Sequence, residues 1–547
     1  MLKKAVTSLL VFMVLVQALL TGCEFGGGSR ISFVMAEKIK SLDPALSKSK
    51  DDAALVLHVF EGLTRVGQDG RTAPGTAISW VKSADGLKYT FYINTDARWS
   101  DGKPVTARDF EYAWKRALNP KVASENVYQL YYIKNAKGYN MSEDPEYKGV
   151  KASMDEVGVK ALDTETLEVT LETPCTYWID LTNMPVYMPV RQDIIEEHAQ
   201  DWHTDTSTYI GNGAYRLKSL KTGEVTTALL QKSRRYWDAD SVENSSVELI
   251  LAEGNYSREY ENFNLGKTDG AAGIPVPASE IMRLKAEGQL VVADLMTSYY
   301  LSFRTNKKPF DSPEVRKAFT IALNRAEIVR AAARGVEKPA AGIVPYKIPG
   351  ADPLKDFRTD ALEYTYLYPE ADAAKAKRLL EEAGYTDISK FPEVVLIYED
   401  TGTNRSIMQT IQAQWQKNLG INVILTAYDA NGFKSKKVDG VFNIAAEAWT
   451  GEYNDPQAFL KMWTSYSIFN VTGLRSEQYD SYLIQAMESE DNIVRMGILH
   501  SAETLLMEIM PVCPLYFDAE PLLMQNGLKN IVTSPYGYLY FHYADKE

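Results

Sequence analysis

The chain has 547 residues, of which 45% are apolar and 24% are charged. These fractions are ordinary for a soluble globular protein, and they exclude wholesale disorder and a polytopic membrane protein. There are 59 Lys and Arg against 72 Asp and Glu, a formal net charge of −13, which argues against nucleic acid as the main partner because phosphate binding depends on clustered basic residues.

The first thirty residues indicate export. A basic start precedes an apolar run over 5–20, which has the length of a signal peptide and is shorter than a membrane span. The run ends in Leu-Thr-Gly-Cys at 20–23, which resembles the lipobox of bacterial lipoproteins, where cleavage precedes a cysteine whose thiol receives a diacylglycerol. We therefore predict a lipoprotein signal peptide over 1–22, a lipid anchor at Cys23 and a flexible tether over 23–30.

Helices and strands alternate along the rest of the chain, which predicts a mixed α/β protein of several lobes. Two helices are marked by N-cap residues and two by a C-terminal glycine. In chain order, the first predicted elements are a strand over 89–94, a helix after Thr106, a strand over 166–171, a helix after Ser312 and a helix over 373–383 closed by Gly384.

A β-α-β unit follows. The segment 394–398 has the composition of a buried strand, and 405–418 shows helical apolar spacing. Gly420 ends this helix before a second strand over 421–428.

Two cysteines remain beyond the predicted anchor. Cys175 and Cys513 each adjoin a proline in an apolar setting, and an exported compartment permits disulfides. The alternatives are a bond between them or two buried free thiols.

Recognisable catalytic and metal-binding motifs are missing from the sequence. There are only 5 His and 3 Cys, and we find no zinc-protease helix, paired Cys-x-x-Cys or nucleophile elbow. Acidic residues are too numerous for a catalytic carboxylate pair to be located from sequence, so an exported hydrolase stays as an alternative. We expect no cofactor and no metal.

A set of long motifs is much more specific. The segment 99–120 reads WSDGKPVTARDFEYAWKRALNP and resembles the signature of the solute-binding proteins of oligopeptide and dipeptide ABC importers. Further segments resemble this family in the same order, so that the resemblance covers nearly all of 31–545. They are SLDP at 41–44, FEGL at 60–63, APG at 73–75, GNGAY at 211–215, NKKPFD at 306–311 with VRKA at 315–318, and WTGEYNDP at 449–456.

The resemblance implies a two-lobe, periplasmic-binding-protein-like α/β fold with an additional domain and a ligand cleft between the lobes. Carried onto this chain, lobe I takes 31–60, 183–302 and 520–547. The additional domain takes 61–182, and lobe II takes 303–519. The expected motion is hinge closure around the ligand.

In peptide-binding members of this family, a carboxylate shortly after a tryptophan holds the ligand's ammonium group. The matching residue is Glu452, three positions after Trp449. The family's usual residue is Asp, so the charge is kept and the reach changes by one methylene. The same resemblance makes Trp449 and Tyr453 candidate walls for ligand side chains, with a place in the core as the alternative for each.

The far end of a peptide is a carboxylate and needs a basic partner. The resemblance places Lys437 and Arg405 at two positions where relatives carry such a residue, and Ala446 at a third where Arg can stand. Tyr536 is a weaker candidate for a wall of the cleft.

The expected function is capture of oligopeptides outside the cytoplasm and their delivery to a membrane permease with cytoplasmic ATPases. The expected protein is a non-enzymatic, lipid-anchored monomer on the outer face of a bacterial cell membrane. A sugar, a nickel complex or a signalling peptide is an alternative ligand, because this fold does not fix the ligand.

Overall fold

The computed structural model describes residues 28–199, 201–331, 335–352, 354–360 and 366–547. The predicted signal peptide, the lipid anchor at Cys23 and the first part of the tether lie outside the described residues. Within these ranges, no helix is both long and apolar enough to cross a membrane.

The described strands and helices alternate as a mixed α/β protein. The strands are β1 Arg30–Met35, β2 Thr64–Val66, β3 Thr72–Pro74, β4 Ala77–Lys82, β5 Lys88–Ile93, β6 Val159–Ala161, β7 Thr166–Thr170, β8 Tyr215–Lys221, β9 Thr226–Lys232, β10 Ser246–Leu251, β11 Gly270–Ala272, β12 Leu290–Phe303, β13 Lys338–Pro339, β14 Val394–Glu399, β15 Val423–Tyr428, β16 Ile444–Thr450, β17 Val512–Met524, β18 Leu528–Lys529, β19 Val532–Thr533, β20 Leu539–Tyr540 and β21 Asp545–Lys546. The α-helices are Lys50–Val59, Ala107–Leu118, Ala136–Asn140, Trp178–Leu181, Gln192–His198, Tyr256–Asn264, Ala278–Ala286, Pro313–Ile321, Arg325–Ala331, Ala373–Glu382, Gly402–Leu419, Ala430–Asp439, Gln457–Leu460, Glu477–Glu488 and Asn492–Ile509. The 3-10 helices are Pro120–Val122, Val127–Tyr132, Met154–Glu156, Pro185–Tyr187, Ala239–Ser241, Ile388–Lys390 and Lys461–Trp463.

One continuous sheet runs through most of the molecule, in the order β15-β14-β16-β12-β17-β11-β1-β10-β9-β8. Its centre is the antiparallel pair of the two long strands β12 and β17. On one side of this pair β16 joins β12, and on the other side β11 joins β17. The two long strands therefore belong to both halves of the sheet.

The central pair is interrupted by a bulge. Asp294 lies opposite Ala519 and Ser298 lies opposite Phe517, so three residues of β12 face a single residue of β17. A bulge leaves backbone groups unpaired in its own ladder and bends the strand. Before the bulge, β12 pairs with the part of β17 that also pairs with β11, and from Thr297 onward β12 pairs with β16.

A separate four-stranded sheet, in the order β4-β5-β7-β6, lies between residues 77 and 170. The helix Ala107–Leu118 packs against it and buries Phe110 and Trp114. Its N-terminus is the predicted capping box, in which the carboxylate of Asp109 accepts a hydrogen bond of 2.7 Å from the Thr106 backbone. These strands all fall inside the additional domain predicted at 61–182, whose boundaries stay a prediction.

The predicted β-α-β unit is confirmed. Strands β14 and β15 pair in parallel and are joined by the helix Gly402–Leu419. The Thr401 side chain caps this helix, which starts three residues earlier than the apolar spacing suggested, and Gly420 ends it in the left-handed conformation with a φ of 78°. The predicted N-cap of the helix Pro313–Ile321, Ser312, is also confirmed.

The alternative of a disulfide between Cys175 and Cys513 is wrong. Both cysteines are buried free thiols that belong to different parts of the core. The Cys513 Sγ lies 3.6 Å from a guanidinium nitrogen of the buried Arg325, in the core that includes strands β14 and β15. The backbone carbonyl of Cys175 instead accepts a hydrogen bond from Tyr89 of the four-stranded sheet.

Candidate functional site

The loop that follows β16 carries two of the predicted site residues, Glu452 and Tyr453, and a third, Trp449, lies just before it in the strand. Its first residue, Gly451, donates its backbone N–H to the carbonyl of Met296, over 2.9 Å. Met296 is one of the three residues in the bulge of β12. A Cβ at Gly451 would lie 2.9 Å from the ring of Phe459, so a larger residue would displace the loop. The loop bearing Glu452 is thus attached to the junction of the two halves of the sheet.

The C-terminal segment is attached to the same residue. The backbone N–H of Met296 donates to the carbonyl of Pro535, over 3.0 Å, and Tyr536 follows directly. The backbone groups that the bulge removes from the β-ladder are therefore used to hold two loops. This places Glu452 and Tyr536, which are far apart in the sequence, next to one strand residue.

A group of tyrosines from the region of the four-stranded sheet meets this loop. Tyr453 stacks on Tyr177, with ring centroids 3.9 Å apart and planes 3° from parallel. Tyr132 meets both rings edge-on. Tyr453 is only 2% exposed, and burial raises the pKa of its hydroxyl well above the usual value. In this conformation Tyr453 joins two parts of the protein, and Tyr177 covers one face of its ring.

Glu452 projects from the loop beside these tyrosines. Its carboxylate accepts a hydrogen bond from the ammonium of Lys461, with Nζ and Oε2 2.6 Å apart. The same ammonium lies 4.7 Å from the centre of the Tyr453 ring, within the range of a cation-π contact. We call this arrangement of the Glu452 carboxylate and the Tyr453 ring the cation seat. The negative charge of Glu452 also contributes to raising the pKa of Tyr128 and Tyr132, behind the larger effect of burial.

The remainder of the loop is fixed by a buried ion pair. Asp455 receives two hydrogen bonds of 2.7 Å from the guanidinium of Arg495, on the helix Asn492–Ile509. Both side chains are buried, and Asp455 also accepts a hydrogen bond from the backbone of Gln457. The backbone on both sides of Glu452 is therefore held, while its side chain is partly exposed.

Trp449 is half-buried at the end of β16. Its indole N–H donates to the carbonyl of Ala458 over 2.9 Å, and its ring centre lies 5.0 Å from that of Phe469. The tryptophan thus braces the loop and leaves part of its ring accessible. Tyr536 stacks on Tyr538 with centroids 5.6 Å apart, and burial raises its pKa well above the usual value.

The two basic candidates are already engaged in ion pairs. Arg405 is exposed at the start of the helix Gly402–Leu419, where one guanidinium nitrogen lies 2.7 Å from both carboxylate oxygens of Asp400. The ammonium of Lys437 binds the carboxylate of Glu447 in the middle of β16, over 2.7 Å. Arg405 follows the carboxyl end of β14, the sheet edge at which α/β proteins bind ligands, whereas Lys437 reaches along the face of the sheet.

Several residues of this arrangement were not predicted from the sequence. Lys461, Tyr177 and Met296 carry no motif, and each meets the loop through a contact that depends on the fold. Lys461 is nine residues beyond Glu452, a spacing with no regular meaning outside a single helix. Within the described ranges, no group of three or more His, Cys, Asp and Glu side chains is placed to hold a metal ion.

Known proteins resemble this chain in both sequence and architecture. Residues 71–470 match the family described as bacterial extracellular solute-binding proteins, family 5 Middle. The oligopeptide-binding protein OppA of Bacillus subtilis (strain 168) is 32% identical over 560 aligned residues, which cover 98% of each chain. The dipeptide-binding protein DppE of the same organism is 32% identical and covers 95% of this chain and 92% of its own.

Among solved structures, the unliganded open form of the murein tripeptide binding protein MppA superposes with a TM-score of 0.82. It is 27% identical, and the match covers 95% of this chain and 98% of that one. The predicted fold, a two-lobe α/β architecture of the periplasmic-binding-protein type, is confirmed by this similarity. From the family match and the near-complete alignment with OppA, the chain belongs to family 5 of the bacterial extracellular solute-binding proteins.

Proposed function

We propose that the protein captures oligopeptides outside the cytoplasm and delivers them to an ABC-type permease with its cytoplasmic ATPases. The observation that carries this proposal is the cation seat, because a peptide's first residue presents an ammonium group and Glu452 with Tyr453 already surrounds one. The relatives OppA and DppE are peptide-binding proteins by name, and they align with nearly the whole chain.

The ligand would lie between the lobes, with its ammonium at Glu452. Removing that charge from water without a partner would cost about 3–5 kcal/mol, so a carboxylate is the expected partner at this end. Trp449 offers a partly accessible ring to a side chain. In this conformation Tyr453 is buried and would contribute from behind the surface of the cleft, whereas Tyr536 is half-buried.

The ligand carboxylate needs a cation, and Arg405 or Lys437 would supply it. Arg405 is exposed and its pair with Asp400 is open to solvent, so exchange of partner costs little. Lys437 would have to leave Glu447, whose side chain is nearly buried and also accepts a hydrogen bond from Ser302. Of the two, Arg405 is the better placed.

The similarity to an open, unliganded relative supports closure as the binding motion. The bulge of β12 at Met296 would act as the hinge, because it lies where the two halves of the sheet meet and its backbone holds both loops of the site. A ligand bound only by the closed form would stabilise that form by mass action.

The mature protein would be a monomer held at the membrane by a diacylglycerol on Cys23. The supporting observation is the lipobox-like sequence at 20–23. We propose no catalytic activity, and the supporting observation is that the sequence carries no zinc-protease helix and no nucleophile elbow.

Native mass spectrometry of the mature chain carrying Cys23→Ser tests the proposed ligand. A series of co-purified masses that match short peptides is the expected result. A single non-peptide mass, such as a sugar or a nickel complex, would contradict the peptide ligand and leave the family assignment intact.

A further inference from the structure

The cation seat is occupied by a residue of the protein itself. The Lys461 ammonium lies 2.6 Å from the Glu452 carboxylate and 4.7 Å from the centre of the Tyr453 ring. An ammonium is also the group that a peptide's first residue would bring to this carboxylate. Two cations cannot both take the same oxygen at hydrogen-bonding distance without repelling each other.

The ion pair is exposed and its lysine is able to leave. The Glu452 and Lys461 side chains are 30% and 33% exposed, so solvent stabilises either charge after separation. The backbone of Lys461 is held between buried neighbours, since Leu460 accepts a hydrogen bond of 2.7 Å from the Tyr479 hydroxyl and Trp463 is buried. Only the flexible side chain of Lys461 has to move.

A second Lys-Glu pair beside β16 shows the contrasting case. The Lys437 ammonium binds Glu447 at 2.7 Å, yet the Glu447 side chain is only 9% exposed and its other oxygen accepts a 2.5 Å hydrogen bond from Ser302. That carboxylate is closed to an incoming cation. Glu452 is open to one, and the distinguishing feature of the site is therefore an accessible carboxylate with an internal, displaceable counterion.

We propose that Lys461 competes with the ligand's ammonium for Glu452 and so sets how strongly the protein prefers peptides with a free amino terminus. This inference rests on the proposed peptide function. Before the ligand arrives, the positive charge of Lys461 balances the negative charge of the Glu452 carboxylate. A charged amino terminus must displace Lys461 or share Glu452 with it, whereas a ligand with a blocked amino terminus leaves the pair intact.

The displaced interaction is a solvent-exposed ion pair. Loss of such a pair changes a dissociation constant by about two- to fivefold. Replacing Lys461 by Met keeps the length of the side chain and removes the competing charge. The Lys461→Met variant should therefore bind a free-amine tripeptide about two- to fivefold more tightly at low ionic strength. Its affinity for the N-acetylated form of the same tripeptide should stay unchanged.

The experiment is calorimetric titration of trialanine and N-acetyl-trialanine into the mature chain carrying Cys23→Ser, with and without Lys461→Met. The matched control is Lys529→Met, which removes the same charge from an exposed pair with Glu547, also 2.6 Å long, near the C-terminus. The control should leave both affinities as they are. In a parallel NMR spectrum of the lysine ammonium groups, the chemical shift of Lys461 should change on addition of trialanine. It should stay the same on addition of the acetylated peptide.

The possible failures are distinguishable. If Lys461→Met weakens both peptides equally, Lys461 positions Glu452 and does not compete, which overturns the inference. If Lys461→Met changes neither affinity, the inference is also overturned while peptide binding stands. If no variant binds either peptide, and no co-purified peptide accounts for this, the proposed function itself fails and the inference fails with it.

Discussion

The carboxylate of Asp455 and the guanidinium of Arg495 form a buried ion pair joined by two hydrogen bonds, each with an N–O distance of 2.7 Å. The pair connects the helix Asn492–Ile509 to the loop that bears Glu452. Together with the hydrogen bond from Gly451 to Met296, it fixes the loop at both ends. The backbone position of Glu452 is thus fixed from both sides, and only its side chain is free to move.

We expect Asp455→Asn to lower the free energy of unfolding by about 3–5 kcal/mol, because the Arg495 charge would stay buried without its partner. Urea denaturation followed by circular dichroism measures this loss. The variant should also lose affinity for peptide, since the loop would no longer be held. A matched control is Glu503→Gln, which breaks a second buried ion pair, between Glu503 and Arg358. The Glu503 carboxylate also accepts a hydrogen bond of 2.8 Å from the backbone N–H of Ile343.

Glu503→Gln should lower stability to a similar extent and keep peptide affinity, because its contacts are away from the loop. Equal loss of affinity in both variants would mean that general destabilisation, and not the loop, controls binding. That outcome would contradict a role in binding for the pair of Asp455 and Arg495.

We expect Glu452→Gln to raise the dissociation constant for free-amine peptides by about 10- to 150-fold. The reason is that a hydrogen bond to a charged group contributes about 1.5–3 kcal/mol, and the amide loses the charge while keeping the shape. Titration calorimetry measures the change. Glu547→Gln serves as the control, since it neutralises an exposed acid paired with Lys529 far from the loop. An unchanged affinity for Glu452→Gln would remove this residue from the site.

Acid should destabilise the protein through His58. This side chain is buried, its Nδ1 donates to the carbonyl of Ala54, and its Nε2 accepts the backbone N–H of Phe541 over 2.9 Å. Burial lowers the pKa of His58 from 6.5 to about 4. Because the unfolded chain takes up a proton more readily than the folded one, this contribution to stability is complete above pH 6.5 and is lost as the pH falls toward 4.

The expected loss at His58 is about 2–3 kcal/mol between neutral pH and about pH 4.5. His58→Gln should have a lower free energy of unfolding at neutral pH and a smaller further loss in acid than the unaltered protein. Denaturant titrations at the two pH values give this difference. The same pH dependence in both proteins would show that His58 is not the group that titrates.

Membrane attachment should depend on one thiol. In the native host, labelling with a radioactive or alkyne-bearing fatty acid should mark the protein, and Cys23→Ser should abolish the label and release the protein from the membrane fraction. The expectation follows from the lipobox-like sequence, since two or more acyl chains are needed for stable anchoring. Labelling that survives Cys23→Ser would contradict the assignment of the anchor.

Local sequence signals predicted much of the fold. The caps at Thr106 and Ser312 and the C-terminal Gly420 are each satisfied by neighbours within a few residues, so that their effect can be recognised without the rest of the molecule. The parallel pairing of β14 with β15 follows from the strand-helix-strand order and the right-handed crossover that such units adopt.

The candidate site was harder to predict, because its contacts join distant segments. The stacking of Tyr177 on Tyr453 and the two hydrogen bonds of Met296 connect residues that are far apart in the sequence, and no local pattern specifies them. Family resemblance indicated Glu452, yet it did not indicate the ammonium of Lys461 bound to it. The same limit explains why the sequence left the pairing of the two cysteines open. Their proline-flanked settings are similar, but they belong to separate parts of the core.

The proposed function depends most on a peptide binding between the lobes with its amino terminus at Glu452. The most direct test is a crystal structure of the mature protein with trialanine. We expect the peptide's ammonium nitrogen within hydrogen-bonding distance of the Glu452 carboxylate, with Lys461 moved away or sharing that carboxylate. A peptide whose ammonium is bound elsewhere, with the Glu452–Lys461 pair undisturbed, would contradict this binding mode.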